Sequence, residues 1–318
     1  MNFVRTVLGD IAASDLGVCY AHEHVIIDPG FTTQVTPEFL LDDVARATTE
    51  LRGFYASGGR AMVDSMPCDA GRNVVKLAAI SEATGVHLIA PTGLHLAKYY
   101  DPGHWGSFYS VEQLAGLFIA DITDGIDAHD YNGPVVARTK HRAGVIKIAT
   151  GTGFTEREQT IFAAAAEAHC RTGAPILTHT ELGTLGVEQV TRLRELGVDL
   201  HHVCLSHLDR KPDLAYHREI LASGVRVEYD SAFRWSAERG NPTLELVVAL
   251  LAEFPGQIML GMDAARRGYW RSYGGGPGLD FLLTDFSEQL RAAGLTAAHW
   301  QEIFVATPAA TYAFHSKS

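Results

Sequence analysis

The sequence lacks long apolar runs, clusters of basic residues and a signal-like start. Its apolar stretches are short and interrupted by charge, so none is long enough to cross a bilayer as a helix. The opening segment MNFVRTVLGDIAASD has no continuous apolar core, which argues against a secretory signal. The net charge of −11 argues against binding of nucleic acid or of an anionic membrane surface.

Cysteine is also scarce. The chain has four cysteines, none in CxxC spacing: Cys19, Cys68, Cys170 and Cys204. This pattern argues against a zinc site built on thiolates and predicts reduced, mostly buried thiols in a cytoplasmic protein. Histidine is plentiful by contrast, with fifteen residues, and it directs the search for a functional site.

Short β-rich segments alternate with helical patterns along nearly the whole chain. The helical segments include Glu156–Thr172 and Gly278–Ala292, and several end near a glycine that can adopt the left-handed cap conformation. The predicted strands are Gly17–His24, Ala61–Met66, Val86–Gly93, Gly144–Thr150, Pro175–Thr180, His202–Asp209, Val225–Asp230 and Gln257–Asp263.

Eight βα units in series predict a closed (β/α)8 barrel, the TIM-barrel fold, with residues 1–318 forming one domain. An open, doubly wound sheet is the alternative. That fold normally carries a glycine-rich phosphate-binding turn after an early strand, and the sequence has none. In a barrel, the loops Leu94–Ser110 and Ala264–Gly278 would lie at the C-terminal face, where active sites are built.

The stretch YAHEHVIID, Tyr20–Asp28, ends a predicted strand with two histidines around a glutamate. Residues two apart in a strand point to the same face. His22 and His24 would therefore converge on one point, while Glu23 would point away. Two converging imidazoles suit a metal ion, although a single buried histidine is more often only hydrogen-bonded in the core.

Four other predicted strands carry polar residues that also suit a metal site: Lys147, His179, His207 and Asp263. Ordinary structural roles exist for three of them: a salt bridge for Lys147, a backbone hydrogen bond for His207 and a helix cap for Asp263. For Lys147 the chemical alternative is a carbamate, which is anionic and can bridge two metals. Because independent positions agree, they predict a site for one or two divalent ions at the mouth of the barrel.

Five segments carry a family resemblance: GVCYAHEHVIID, AGVIKIATG, PILTHTELG, CLSHLDR and GMDAARRGYW. They extend from Gly17 to about Trp270 and contain an HxH pair, a strand lysine, two single histidines and an aspartate. In these features the chain resembles the phosphotriesterase family of the amidohydrolase superfamily. The resemblance implies a TIM barrel with a binuclear metal site and hydrolysis of lactones, esters or phosphotriesters.

The resemblance also implies a role for each residue. The more buried metal would be held by His22, His24 and Asp263, and the more exposed one by His179 and His207. Lys147, N6-carboxylated by CO2, would bridge both metals together with a hydroxide, and Asp263 would shuttle its proton. A histidine-rich donor set favours zinc, and manganese or cobalt would also fit. By analogy alone, the family suggests a homodimer.

The loop after the eighth strand, DAARRGYWRSYGGGPG, is rich in arginine. Its DxxRxxY pattern, formed by Asp263, Arg266 and Tyr269, resembles the branch of the family that hydrolyses phosphorylated sugar lactones. In that branch the arginine and the tyrosine hold the sugar phosphate. Arginine suits this role because its fork binds two phosphate oxygens. The neighbouring Arg267 is interpreted as a surface residue.

Two other loops offer substrate contacts. Arg234, which follows the seventh strand, is a candidate for a further contact with an anion. Either Tyr99 or Tyr100, after the third strand, would reach the substrate ring or polarise the leaving group. Tyr100 is equally suited to packing the loop.

These patterns leave three functions to separate, of which the first two act on a small-molecule substrate. The first is a two-metal lactonase for small, polar, phosphorylated sugar lactones. The second is a lactonase or phosphotriesterase for apolar substrates such as acyl-homoserine lactones, and the third is a non-catalytic metal-binding barrel. The polar, cationic loop favours the first over the second, because a long acyl tail needs an apolar channel. The complete set of expected ligands argues against the third.

Overall fold

The structure, a computed structural model, describes residues 2–235 and 240–315. All eight strands predicted from the sequence are found there, and the third is divided at Ala90 into two short strands. The strands are β1 (Phe3–Thr6), β2 (Gly9–Ala12), β3 (Cys19–Glu23), β4 (Ala61–Asp64), β5 (His87–Ile89), β6 (Pro91–Gly93), β7 (Val145–Thr150), β8 (Ile176–Thr180), β9 (Val203–Ser206), β10 (Arg226–Tyr229) and β11 (Ile258–Leu260).

Strands β3 to β11 follow one another around a barrel. Strands β3, β4 and β5 pair side by side, and β6 to β11 pair in the same sequential way, with every pair parallel. The barrel closes where the backbone N–H groups of Met262 and Asp263 donate to the carbonyl oxygen of His22, at 3.3 and 3.1 Å. The predicted closed (β/α)8 barrel is confirmed, and the open sheet is excluded.

Helices connect the strands. They are α1 (Phe31–Val35), α2 (Val44–Ala56), α3 (Val74–Thr84), α4 (Val111–Thr123), α5 (Glu156–Thr172), α6 (Gly186–Glu195), α7 (Leu214–Leu221), α8 (Pro242–Leu250), α9 (Asp285–Ala292), α10 (Ala297–Gln301) and α11 (Thr307–Tyr312). Local signals explain why α5 has its predicted bounds. Thr155 and Glu158 form a reciprocal capping box at its start, and Gly173 ends it with φ of 76°.

The predicted helix Gly278–Ala292 is shorter in the structure, where α9 begins only at Asp285. Gly278 has a left-handed φ of 91°, and the N–H of Leu279 donates to Oε1 of Glu50 on α2 at 3.1 Å. The start of this segment is therefore tied to another helix, and the continuous helix forms only after Thr284. A tertiary contact of this kind overrides the local helical pattern.

The hairpin of β1 and β2 was not predicted, and it covers the end of the barrel opposite the mouth. Val4 packs in a buried cluster with residues that begin several barrel strands, including Cys19, Ala61 and Val145. Val4 also forms a β-bridge with Ala313, just after α11. The first and last described segments thus close the N-terminal end together.

One glycine shows how tightly the barrel strands approach each other. A Cβ atom on Gly93 would lie 1.9 Å from the carbonyl oxygen of Lys147, and its φ is 104°. Both the space and the backbone angle therefore require glycine here. This close approach fixes β6 against β7 immediately beside Lys147.

The state of the cysteines agrees with the sequence prediction of reduced, mostly buried thiols. All four cysteines are free; Cys19, Cys68 and Cys204 are buried and Cys170 is exposed. Among the described residues, no helix has the length and hydropathy needed to span a membrane.

Candidate metal centre

The HxH pair lies at the end of β3, as the alternation of strand side chains requires. His22 and His24 share one face, with their ring centroids 5.4 Å apart, and both line the cavity at the barrel mouth. Glu23 points the other way, and its carboxylate accepts hydrogen bonds from the backbone of the β11 loop. The prediction that the two histidines converge and the glutamate turns away is confirmed.

The other four predicted ligands come from separate strands and meet at the same place. Lys147 lies on β7 and His179 on β8, while His207 follows β9 directly and Asp263 lies three residues after the end of β11. His207 contacts both neighbouring imidazoles, with ring centroids 4.6 Å from His22 and 4.6 Å from His179. These residues, together with the HxH pair, are called the inner ring below: His22, His24, Lys147, His179, His207 and Asp263.

Asp263 lies against the HxH pair. Its Oδ1 atom is 3.0 Å from Nε2 of His24 and 3.6 Å from Nε2 of His22. The three ligand atoms lie within 4.8 Å of one another, which suits a single ion. Both Asp263 and His207 have left-handed φ angles, 47° and 67°, which non-glycine residues rarely adopt. Such strained backbone often occurs where side chains are held for function.

Lys147 is fully buried, and its Nζ atom has no hydrogen-bond partner among residues 2–235 and 240–315. The salt bridge considered from the sequence is not formed there either. Burial outweighs the nearby carboxylates and lowers the pKa of Lys147 to about 8. An amine with this pKa is partly neutral near pH 7, and the neutral form is the one that reacts with CO2. The buried, unpartnered nitrogen thus fits a carbamate that bridges two metal ions.

In His22 and His207, the ring nitrogen that faces away from the cavity has a partner that fixes the imidazole. Nδ1 of His22 lies 2.9 Å from Oγ of Ser206, and Nδ1 of His207 bonds Oδ2 of Asp230. Such outer contacts orient metal-binding histidines and fix the tautomer. Glu228 lies on the same side, with its Oε2 3.7 Å from Nδ1 of His22.

Burial and nearby charges hold residues of the inner ring in the protonation states that bind metal ions. Burial lowers the pKa of His179 to about 4 and that of His207 to about 3, so both are neutral at pH 7. Burial opposes ionisation of Asp263, yet the hydrogen bond to His24 and the guanidinium of Arg234 hold its pKa well below the usual range. Neutral imidazoles and an ionised carboxylate are the forms that bind divalent metals.

Two arginines donate hydrogen bonds to the carboxylates of the site. Arg210 Nη2 donates to Oδ2 of Asp263 at 2.6 Å and to Oδ1 of Asp230 at 3.2 Å. Arg234 donates to the same two oxygens, at 3.1 and 3.2 Å. Arg234 was predicted to contact an anionic substrate; it lines the cavity, but its fork is directed mainly at Asp230 and Asp263.

The cavity at the mouth has a volume of about 360 Å³. Arg266, Tyr269 and Tyr99, all predicted to contact substrate, line its outer part. Arg266 forms an ion pair with Glu38 at the cavity edge. Tyr100 is not part of the lining: its hydroxyl donates to the Cys68 carbonyl oxygen at 3.1 Å and accepts from the N–H of His95 at 2.8 Å. Tyr100 therefore packs the loop, which was its alternative interpretation.

Several residues at the site were missed from the sequence. Glu181 bonds Nε2 of His179 at 2.8 Å and Nζ of Lys98 at 2.8 Å, and the hydrogen bond from His179 lowers the pKa of Glu181 to about 2. His95 also lines the cavity, with its ring 4.8 Å from that of His179. The segments HTELG and SHLDR place Glu181 and Arg210 two and three residues after a histidine, which was the available signal.

Known proteins resemble this chain over its whole length. A model of the Phosphotriesterase family matches residues 2–312. A phospho-furanose lactonase from Mycoplasmopsis synoviae is 33% identical over 99% of this chain and 93% of its own length. A lactonase structure from Listeria monocytogenes superposes with a TM-score of 0.89 at 27% identity, covering 99% of this chain and 100% of that one.

A solved structure that contains phosphate in its active site is also similar to this chain. The phosphotriesterase homology protein from Escherichia coli, complexed with phosphate in its active site, superposes with a TM-score of 0.83 at 30% identity, over 93% of this chain and 99% of that one. The resemblance carried by the five sequence segments is thus confirmed by sequence and by fold. The chain belongs to the phosphotriesterase family.

Proposed function

We propose that this chain is a metal-dependent lactonase that opens small, polar sugar lactones carrying a phosphate group. Family membership makes it a hydrolase of ester bonds. One observation carries the narrower proposal: a small cavity is lined by five residues of the inner ring, with Lys147 buried next to them, and by arginines.

The inner ring fits two divalent ions, because it brings together imidazole nitrogens, an ionised carboxylate and a buried lysine nitrogen that has no hydrogen-bond partner among the described residues. One ion would be held by His22, His24 and Asp263, and the other by His179 and His207. Lys147, once N6-carboxylated, would bridge them. We infer zinc from the imidazole-rich donor set, with manganese or cobalt as alternatives. Bound ions of this kind acidify a water molecule and polarise an ester carbonyl.

The chain's own residues then control geometry and proton transfer. Asp263 takes a proton from the attacking water and returns it to the ring oxygen when the acyl–oxygen bond breaks. Arg210 and Arg234 hold the Oδ2 atom of this carboxylate, so that Oδ1 stays directed at the HxH pair. The product is an open-chain hydroxy acid, and its ring oxygen leaves as a hydroxyl group.

The basic side chains of the cavity favour an anionic substrate. Lys98, Arg210, Arg234 and Arg266 line the cavity, against the carboxylates of Glu181 and Asp263. At about 360 Å³, the cavity is near the lower end of the usual range for ligand sites, which suits a sugar lactone better than a long acyl chain. Arg266 and Tyr269 are the proposed contacts of the phosphate, and Tyr99 that of the ring.

Names of relatives support the same substrate class. The 33% identical relative is called a phospho-furanose lactonase, and the Escherichia coli neighbour holds phosphate in its active site. The DxxRxxY pattern of Asp263, Arg266 and Tyr269 indicates the same branch of the family. Both lines therefore point to a phosphate-bearing lactone.

A matched panel of substrates tests the proposal. Protein made with divalent metal and bicarbonate would be assayed by acid release on sugar lactones with and without a terminal phosphate, on acyl-homoserine lactones and on an aryl dialkyl phosphate. We expect kcat/KM to be highest for a phosphorylated lactone, by about tenfold or more, since one charge-assisted contact is worth roughly 1.5–3 kcal/mol.

Asp263→Asn provides the inactive control for this panel. Highest activity on acyl-homoserine lactones or on the organophosphate would contradict the substrate class and favour the apolar alternative. Full activity in protein stripped of metal would contradict the metal-dependent reaction itself.

A further inference from the structure

Glu23, the glutamate between the two histidines of the HxH pair, has no role in the reaction described above. Its side chain is completely buried and turned away from the cavity. Its Oε1 atom accepts a hydrogen bond from the N–H of Met262 at 2.7 Å, and its Oε2 atom accepts from that of Ala264 at 3.4 Å. The carboxylate thus binds the backbone on both sides of Asp263.

Asp263 needs such support because its backbone is strained. Its φ of 47° lies in the left-handed region, which is costly for L-residues, although aspartate adopts it more often than most others. Its own N–H donates to the carbonyl oxygen of His22 at 3.1 Å. Three consecutive peptide groups are therefore attached to two consecutive residues of β3, and the direction of the Asp263 side chain follows from these attachments.

Core packing alone does not explain a carboxylate at this position. An apolar side chain would fill the same space without the cost of moving a charged or polar group out of water. Hydrogen bonds from backbone N–H groups to the carboxylate offset part of that cost. The carboxylate of Glu23 can accept from both of these N–H groups, which belong to the residues on either side of Asp263.

We propose that Glu23 is a positioning residue that acts through Asp263. By binding both flanking N–H groups, it holds Asp263 in the conformation that directs Oδ1 at His22 and His24. The inference rests on the proposed role of Asp263 as a metal ligand. It explains why a glutamate stands between the histidines of the HxH pair.

The chain contains a matched control. Glu50 is also buried, and it accepts hydrogen bonds from three N–H groups of the same loop, those of Arg271 (3.3 Å), Ser272 (2.8 Å) and Leu279 (3.1 Å). Glu50 thus binds the distal part of the loop, away from Asp263. A purely structural role would make the substitutions at Glu23 and Glu50 equivalent.

The first test uses the metal-free protein and hydrogen–deuterium exchange. Glu23→Gln should increase exchange in fragments covering 258–266, because its amide nitrogen cannot accept from the second N–H. Glu50→Gln should increase exchange in fragments covering 270–280 and leave 258–266 as in wild type. Equal exchange of 258–266 in wild type and Glu23→Gln would overturn the proposal.

The second test measures metal retention and kinetics. Loss of an outer contact of a metal ligand typically costs about 10–100-fold in metal affinity or activity. Glu23→Gln should lower metal affinity by such a factor and reduce kcat on saturating metal, with KM nearly unchanged. Glu50→Gln should lower the melting temperature and retain wild-type metal affinity. Identical metal affinities in Glu23→Gln and wild type would contradict positioning.

Two further measurements keep the inference testable if Glu23→Gln does not fold. Glu23→Asp keeps the charge but shortens the side chain, so it should show the same loss of metal affinity. In the wild type itself, the amides of Met262 and Ala264 should be protected in metal-free protein, and fast exchange of both would refute the contact. If these results hold but no lactone is hydrolysed, only the proposed function fails.

Discussion

The inner ring and the outer edge of the cavity are held in different ways. His22 and His179 are buried near strand ends and Lys147 within β7, with between 0% and 6% of each residue exposed. At the edge, the side chain of Arg266 is 42% exposed and that of its partner Glu38 67%. The barrel therefore determines the position of the reactive groups, whereas loops determine the contacts with the rest of the substrate. Substitutions in the inner ring should therefore lower the activity on all substrates. Substitutions at the cavity edge should lower the activity on some substrates more than on others.

The largest effect is expected for Lys147→Ala, which removes the proposed bridge. Loss of several kcal/mol of transition-state stabilisation would reduce kcat/KM by roughly a thousandfold or more, for phosphorylated and unphosphorylated lactones alike. Short carboxylic acids added to the assay should restore part of the activity, because they can replace the carbamate. The matched control is Lys140→Ala, since Lys140 is exposed outside the site.

A crystal structure of metal-loaded protein gives a second check on Lys147. A carboxylate should be found on Nζ. An unmodified Lys147 beside two fully occupied metal positions would contradict the bridging role.

A selective effect is expected for Arg266→Ala at the cavity edge. The substitution should lower kcat/KM for phosphorylated lactones by about tenfold or more, and change that for unphosphorylated ones little, because it removes only charge-assisted contacts to phosphate. Metal content should stay unchanged. Lysine at this position should restore only part of the activity, because it offers a point charge instead of a fork.

Arg267→Ala is the control for this experiment. Its Nε donates to the carbonyl oxygen of Leu40 at 2.5 Å, and it is not part of the cavity lining. If Arg266→Ala reduces the rates for both kinds of lactone equally, the arginine positions the loop and does not bind phosphate.

The smallest effect is expected for Glu38→Gln. The carboxylate of Glu38 forms an ion pair with Arg266 and so competes with a substrate phosphate for the same guanidinium. Exposed ion pairs contribute about 0.2–1 kcal/mol, so KM for phosphorylated lactones should fall by up to about fivefold. Glu253→Gln, which alters an exposed pair with Arg218, is the control and should leave KM unchanged. A rise in KM for Glu38→Gln would show that Glu38 helps to bind substrate.

The inner ring could be predicted from the sequence because the positions of its residues follow from the regular geometry of strands. In a strand, His22 and His24 must share a face, and parallel strands bring residues at their C-terminal ends together. The same reasoning identified all eight barrel strands. It failed where a contact between distant segments decides the outcome, as for Leu279, which bonds Glu50 and does not begin the predicted helix.

The edge of the cavity was less predictable for the same reason. Tyr99 and Tyr100 are adjacent in the sequence, and only the bond to the Cys68 carbonyl shows that Tyr100 packs the loop. Arg210 received no role from the sequence because its partner Asp263 is 53 residues away. The contacts of loop residues depend on how distant segments meet in the folded chain. The sequence pattern of a loop therefore says little about which residues it will contact.

The distribution of thiols has a practical consequence. Cys170 is exposed on α5, whereas the other three cysteines are buried in the native barrel. A maleimide dye should therefore attach once to each folded molecule, at a position outside the catalytic cavity. Unfolding would expose three more reactive sulfurs, so the number of labels per chain, counted by mass spectrometry, reports directly on the fraction of native molecules.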